Sequence, residues 1–154
     1  MTTSGLPFDD FRRLLARLPA LKGAAHGPVA PPGLGRLGAL ADWLALVGGR
    51  RPPRVTRPLV ALYAGTHGVA RHLDDAEGPE AARARVERIG TGQGPVGRLC
   101  REAGLGLRVY DLALDHPVGD ITREPAMDER GCAATMAFGM EAIAGGVDLI
   151  VLGD

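Results

Sequence analysis

Asp148-Leu149-Ile150-Val151-Leu152-Gly153-Asp154 decides the fold. Its unbroken aliphatic run reads as a buried strand, and the Gly-acid pair after it reads as a turn. Two similar runs lie upstream. Leu59-Val60-Ala61-Leu62-Tyr63 is closed by Gly65, and Leu107-Arg108-Val109-Tyr110-Asp111-Leu112 follows later. Helical periodicity fills the intervals at 79–89, 96–103 and 127–144, the last closed by Gly145-Gly146. Short apolar strands alternating with helices indicate βαβ units with right-handed crossovers. The fold class expected is therefore α/β: a three-layer, mostly parallel, Rossmann-like and doubly wound sheet. Strands near 59–63, 107–112 and 148–152 should be adjacent and parallel, with helices on both faces.

The region before the first strand has a different character. Phe8, Phe11, Leu14, Leu15 and Leu18 recur at helical spacing, with Asp9 and Asp10 suited to the first turn. Gly, Pro and Ala dominate 23–33, which reads as a loop. A second helix over 34–47 places Leu37, Leu40, Ala41, Leu44 and Val47 on one stripe and ends at Gly48-Gly49. A basic, proline-broken connector occupies 50–58. Two segments result: residues 1–50, an N-terminal helical segment, and 51–154, part of an α/β domain.

Bulk composition narrows the function. The 154 residues carry 18 basic and 18 acidic side chains, a formal net charge of zero. That gives no electrostatic case for nucleic acid or an anionic membrane as partner. No run approaches the ~20 apolar residues of a membrane span, and the N-terminus has no signal-peptide pattern. Cys100 and Cys132 lack C-x-x-C spacing, so two buried thiols in a reducing, cytoplasmic setting are expected. The single lysine, Lys22, among so many arginines reads as coding bias.

Several stretches carry candidate chemistry. Gly92-Gln93-Gly94-Pro95-Val96-Gly97 matches G-x-G-x-x-G, but a helical segment and not a strand leads into it. The dinucleotide fingerprint needs a strand there, so a turn between helices is the better reading. Tyr63-Ala64-Gly65-Thr66-His67-Gly68-Val69 follows the first strand directly. Its glycines allow a sharp turn and close approach of a ligand, and His67 stands where ligand contacts collect in α/β sheets. The alternative is a histidine that only holds the loop. Asp111, Asp115, His116, Asp120, Arg123 and Glu124 cluster after the second strand, as an acid-base set or as a solvated loop with salt bridges. His26, His72 and His116 show no metal-ligand spacing. No metal site, cofactor or catalytic nucleophile is assigned.

At this point the residues resemble a known family. Pro31-Pro32-Gly33-Leu34-Gly35-Arg36-Leu37 is similar to its Pro-x-Gly-Ser-Leu-Gly-Arg-Leu motif, one residue short. Ala64-Gly65-Thr66-His67-Gly68-Val69 resembles its Ala-Gly-Asp/Asn-His-Gly-Val loop. Gly119-Asp120-Ile121-Thr122-Arg123-Glu124-Pro125-Ala126-Met127 resembles its Thr-x-Glu-Pro-Ala segment, and 136–144 continues the likeness into a helix. Leu152-Gly153-Asp154 falls where the family begins Gly-Glu-Met-Gly-Ile-Gly-Asn-Thr. The family is that of the nicotinate-nucleotide–dimethylbenzimidazole phosphoribosyltransferases, and the resemblance spans roughly residues 31–154.

The resemblance implies transfer of phosphoribose from nicotinate mononucleotide to a benzimidazole nitrogen, in a homodimer, as part of cobalamin lower-ligand synthesis. It also implies that the N-terminal helical segment, 1–50, belongs to a small helical domain. It implies substrate-binding roles for Gly65, Thr66, His67, Gly68 and Asp154. The departures are specific. The family is about twice as long, and its general base, a glutamate near its C-terminus, has no counterpart in these 154 residues. Asp154 stands where its phosphate loop carries glutamate. The pocket segment Ser-Ala-Phe/Tyr-Pro-Gln falls, without a gap, on Asp75-Ala76-Glu77-Gly78-Pro79. The expectation is an N-terminal portion of such an enzyme, incomplete for catalysis alone, whose site a partner or further sequence completes. The alternative is an inert, family-derived binding or regulatory subunit that docks on a full-length relative.

Overall fold

A computed structural model describes residues 5–17, 31–76 and 78–153. The readings that concern Leu18, the 23–30 part of the loop, His26, Glu77 and Asp154 lie outside them. The chain divides into two compact units, one over Asp9–Thr56 and the other built on 57–153 with the segment 5–8.

The first unit holds two helices. Helix α1, Asp9–Arg17, places Asp9 and Asp10 in its first turn and Arg17 in its last, each favourable to the helix dipole. Arg12 bonds Asp9 at 3.0 Å, and Arg13 pairs with Asp10. Helix α2, Arg36–Gly48, ends at Gly49, whose left-handed φ of 61° suits a residue without Cβ. Only Gly38 and Ala45 of α2 are buried. The apolar stripe read from the sequence is present, but Leu37, Leu40, Leu44 and Val47 are exposed.

The second unit is the α/β body. Strand β1 spans Pro58–Ala64 and leads into a 3-10 turn over Gly68–His72. Helix α3, Pro79–Gly90, begins on Pro79, which has no N–H to leave unpaired. Helix α4, Gly94–Ala103, repeats that start with Pro95 and stops at left-handed Gly104. Strand β2, Gly106–Asp111, follows. Helix α5, Glu129–Gly139, is capped by Asp128, whose carboxylate accepts the Gly131 N–H at 2.6 Å. Helix α6, Glu141–Ala144, is a single short turn, and strand β3 covers Leu149–Gly153.

The strands lie in the order β2-β1-β3, and both pairings are parallel. Leu62 faces Val109 across one ladder and Gly153 across the other. The path from β1 to β2 moves one way across the sheet; the path from β2 to β3 reverses, crossing over β1. With right-handed crossovers, that reversal puts the two helical layers on opposite faces. Packing agrees. Leu62 and Val109 share one face with Ala82, Val86 and Ile89 of α3. On the other face Leu59 and Ala61 pack on Ala142 of α6, flanked by Tyr63, Tyr110, Val147 and Ile150.

Two sequence expectations change. The helix expected over 127–144 is broken at Met140. The Ile143 N–H bonds the Met140 carbonyl at 3.2 Å, one residue short of the α-helical partner. The Gly139 carbonyl accepts instead from the Tyr63 hydroxyl at 2.8 Å. A side chain on the sheet thus takes over the bond that would have continued the helix. Strand β3 forms as expected but is not a buried strand. Leu149, Val151 and Leu152 are 41%, 46% and 66% exposed, because among the described residues β3 pairs with β1 alone and is an edge. Cys100 is buried as expected, whereas Cys132 is only half-buried.

Candidate functional site

The segments that leave β1 and β2 lie beyond the carboxyl ends of the strands, the usual ligand position in open α/β sheets. A cleft of about 730 Å³ occupies this place. Its lining comes from 65–71 after β1, from 76–85 at the start of α3, and from 117–124 after β2. The volume falls within the usual range for small-molecule sites.

Backbone hydrogen bonds zip the two loops together. Leu112 N–H donates to the Ala64 carbonyl at 2.8 Å, Val118 N–H to Thr66 at 3.0 Å, and Gly68 N–H to Val118 at 2.8 Å. An isolated parallel bridge joins His67 to Val118. The parallel pairing of β1 and β2 is thereby carried past the strands and forms one wall of the cleft. A Cβ on Gly68 would stand 2.7 Å from the Val118 carbonyl oxygen and 3.0 Å from the Asp120 nitrogen. Gly68 is therefore a contact between loops. Gly65 has nothing within 4 Å of the same position and faces open space in the cleft.

Asp120 is the buried centre of this wall, 1% exposed. One carboxylate oxygen accepts the Thr122 hydroxyl at 2.6 Å and the Thr122 N–H at 3.0 Å. The other accepts His72 Nε2 at 2.8 Å and lies 3.2 Å from an Arg71 guanidinium nitrogen. A buried carboxylate is costly unless it is bonded, and this one is bonded on both oxygens. Hydrogen bonds from Thr122 and then His72 hold the Asp120 carboxyl below its ordinary range, overriding the burial that would raise it. Arg71 also donates through Nε to the Gly68 carbonyl at 3.0 Å.

The acidic cluster read from the sequence does not converge. Asp111 caps its own turn, accepting the Leu114 N–H at 3.0 Å, and Asp115 forms an exposed ion pair with Arg83 that lowers its pKa. Only Asp120 and Glu124 of the set line the cleft. The role of His72 as a bond to Asp120 was not legible, because 48 residues separate them in sequence. Of the residues implied by resemblance, Gly65, Thr66, His67 and Gly68 all line the cleft. The Thr66 hydroxyl donates to the Leu114 carbonyl at 2.9 Å and so holds the wall. The His67 ring is exposed and makes no hydrogen bond among the described residues. Gly92 and Gln93 lie between α3 and α4, and Gly94–Gly97 form the first turn of α4, so a helix does lead into the motif. Among the described residues no group of three or more His, Cys, Asp or Glu gathers to hold a metal, and no helix is long and apolar enough to cross a membrane.

The phosphoribosyltransferase family profile matches residues 20–154, and the chain belongs to that family. Nicotinate-nucleotide–dimethylbenzimidazole phosphoribosyltransferases are its relatives. The proteins of that name from Brucella anthropi and Rhizobium meliloti are 49% and 52% identical over the whole chain. The chain spans about half the length of these relatives, 48% of each. Two solved structures from Thermus thermophilus share the fold. One, described as CobT, has a TM-score of 0.67 at 27% identity. The other, described as a nicotinate-nucleotide–dimethylbenzimidazole phosphoribosyltransferase, has a TM-score of 0.71 at 25% identity. Each comparison covers 82% of this chain and 44% of the other.

Proposed function

We propose that this chain provides a substrate-binding portion of an enzyme that moves phosphoribose from nicotinate mononucleotide to 5,6-dimethylbenzimidazole. The observation that carries the reading is the cleft at the carboxyl ends of β1 and β2, in a chain of this family. Small side chains, Ala70, Ala76, Pro79 and Ala82, leave apolar wall for a planar ring, while His67 and Glu124 offer polar groups. Neither side chain makes a hydrogen bond or ion pair with another described residue.

In the reaction an azole nitrogen lone pair attacks the ribose anomeric carbon as the bond to the pyridinium nitrogen breaks. That electron pair returns to the ring, and nicotinate leaves. The proton on the second azole nitrogen must pass to a base. The cleft contributes by holding the two rings in reach of each other. Gly65 gives close approach, His67 lines the cleft, and Thr66 and Gly68 keep the wall in place. Asp154 is assigned to phosphate binding by the resemblance alone. The exposed apolar edge of β3 is suited to pair with a further strand, from the same protein, a second copy or a full-length relative. A cytoplasmic location and a dimer belong to the same reading, as does the assignment of 1–50 to a small helical domain.

The test is calorimetric titration of the 154-residue chain with each substrate, together with an assay for azole-dependent nicotinate release. Saturable binding without turnover is expected. Failure to bind either substrate would overturn the reading, and turnover by this chain alone would overturn its incompleteness.

A further inference from the structure

Arg71 is a cleft side chain whose cationic group is held in place by the protein and still has donors to offer. Its Nε bonds the Gly68 carbonyl at 3.0 Å, and one terminal nitrogen lies 3.2 Å from buried Asp120. Two anchors on one rigid, planar group leave it little rotational freedom. Its Nη1 end has no partner among the described residues, and the side chain is 56% exposed where it lines the cleft. Asp120 cannot be pulled away by a ligand, since Thr122 and His72 also hold it. A guanidinium fixed on one side, with N–H groups open on the other, matches the two oxygens of a carboxylate or phosphate. Pre-ordering lowers the entropy lost on binding.

We propose that Arg71, oriented by Asp120, is an oxyanion-reading group of the cleft, taking a carboxylate or a phosphate of the bound nucleotide. The inference rests on the function proposed above, because that reading supplies an anionic substrate. Recognition here is directional and does not come from excess charge. Arg71 and Arg85 face Asp120 and Glu124 in the same cleft, so the formal charges cancel. Glu124 forms no ion pair with Arg71. The cleft therefore offers an anion no net positive charge, and what it can use is the oriented N–H edge of Arg71. Arg71 is not legible as a site residue in the sequence, since one arginine among many carries no signal until Asp120 stands behind it.

The experiment compares wild type, Arg71→Gln and Arg71→Lys by calorimetric titration with four ligands. These are nicotinate mononucleotide, nicotinamide mononucleotide, nicotinate riboside and dimethylbenzimidazole. Arg71→Gln should weaken nicotinate mononucleotide binding about tenfold or more, equivalent to about 1.4 kcal/mol, and leave dimethylbenzimidazole within about twofold. Arg71→Lys keeps the charge and loses the planar fork, so a smaller loss with the same selectivity is expected. It carries the test if the glutamine variant does not fold. The nicotinamide nucleotide lacks the carboxylate and the riboside lacks the phosphate. Whichever analogue is indifferent to the substitution identifies the oxyanion that Arg71 reads. Nucleotide binding that does not respond to Arg71 would overturn this proposal and leave the proposed function standing. Equal losses for the nucleotide and the azole would also overturn it, as a general collapse of the cleft. A wild-type chain that binds the azole and no nucleotide overturns the inference alone; one that binds nothing overturns both.

Discussion

Two glycine-rich segments of this chain look alike in sequence and do opposite things. Gly65-Thr66-His67-Gly68 follows a strand, and Gly92-Gln93-Gly94-Pro95-Val96-Gly97 follows a helix. The second is the better match to a nucleotide-binding pattern, yet its Gly97 serves packing and its Gly92 and Gly94 serve the turn. A Cβ on Gly97 would overlap the Gly92 carbonyl, which also accepts a bond from Arg101. The turn is folded onto the first residues of α4, and its carbonyl is already in use. The first segment divides its labour: Gly68 packs against the neighbouring loop, and Gly65 is open to the cleft. A glycine marks a place where something comes close. Only position relative to the sheet says whether that something is a ligand or the protein's own backbone.

The largest effect is expected at Gly97. Gly97→Ala should destabilise the chain by about 3 kcal/mol or more, since the obstacle is backbone and cannot swing aside. Urea unfolding of Gly97→Ala beside Gly94→Ala checks this. Gly94 has open space around it, and its left-handed φ of 79° is the only objection to a side chain. A loss of about 1 kcal/mol is expected there. Equal losses at the two sites would mean that strain in the turn, and not packing on Gly92, explains the motif.

The next largest effect separates the two glycines of the first loop. Gly68→Ala should cost about 1–3 kcal/mol, because Val118 and Asp120 present backbone at that point. Gly65→Ala should change stability by less than about 0.5 kcal/mol and act instead on ligand affinity. Paired unfolding curves and titrations of both variants resolve the difference. A stability loss at Gly65 as large as that at Gly68 would erase the distinction between wall and opening.

The smallest effect sharpens why the wall is rigid. The Asp120 carboxyl is held below its ordinary value, by Thr122 and then by His72. A carboxyl whose folded pKa lies below its unfolded one stabilises the fold fully above the unfolded value, roughly pH 4. The contribution is lost as pH falls through the folded value. Asp120→Asn should therefore be less stable than wild type at neutral pH, and the gap should narrow below about pH 4. Thermal unfolding of both proteins from pH 7 downward follows it. A gap that does not vary with pH would assign the loss to shape and not to charge.

Much of the α/β body was legible. The apolar run at 59–63 and the mixed run at 107–112 are strands of the sheet, within a residue or two of β1 and β2, because short runs of aliphatic, β-branched and aromatic residues suit a pleated, half-buried surface. The helix start at Pro79, and in the other unit the stop at Gly49, follow from backbone chemistry that acts locally, whereas α4 begins at Gly94, two residues before the expected Val96. The break at Met140 was not legible, because the bond that causes it comes from Tyr63, 76 residues away from Gly139. The same holds for the exposure of β3. Its residues specify a strand, but whether a strand is central or edge depends on what lies beside it.

For the cleft the division is equally physical. Loops rich in Gly, His and Asp after β1 and β2 are legible in the amino-acid order, since turn chemistry and apolar periodicity are properties of neighbouring residues. The family is legible as well, through four motifs in order. Which of those groups are occupied is settled by the fold. Thr66 is bonded to Leu114, Asp111 to Leu114, Asp115 to Arg83, and Asp120 to His72, Thr122 and Arg71. What remains for a ligand is the residue of that accounting: Gly65, His67, Glu124 and the open end of Arg71. A polar side chain is available for chemistry only when no other part of the chain has satisfied it. That condition is set by contacts across tens of residues, which the order of amino acids encodes but does not display.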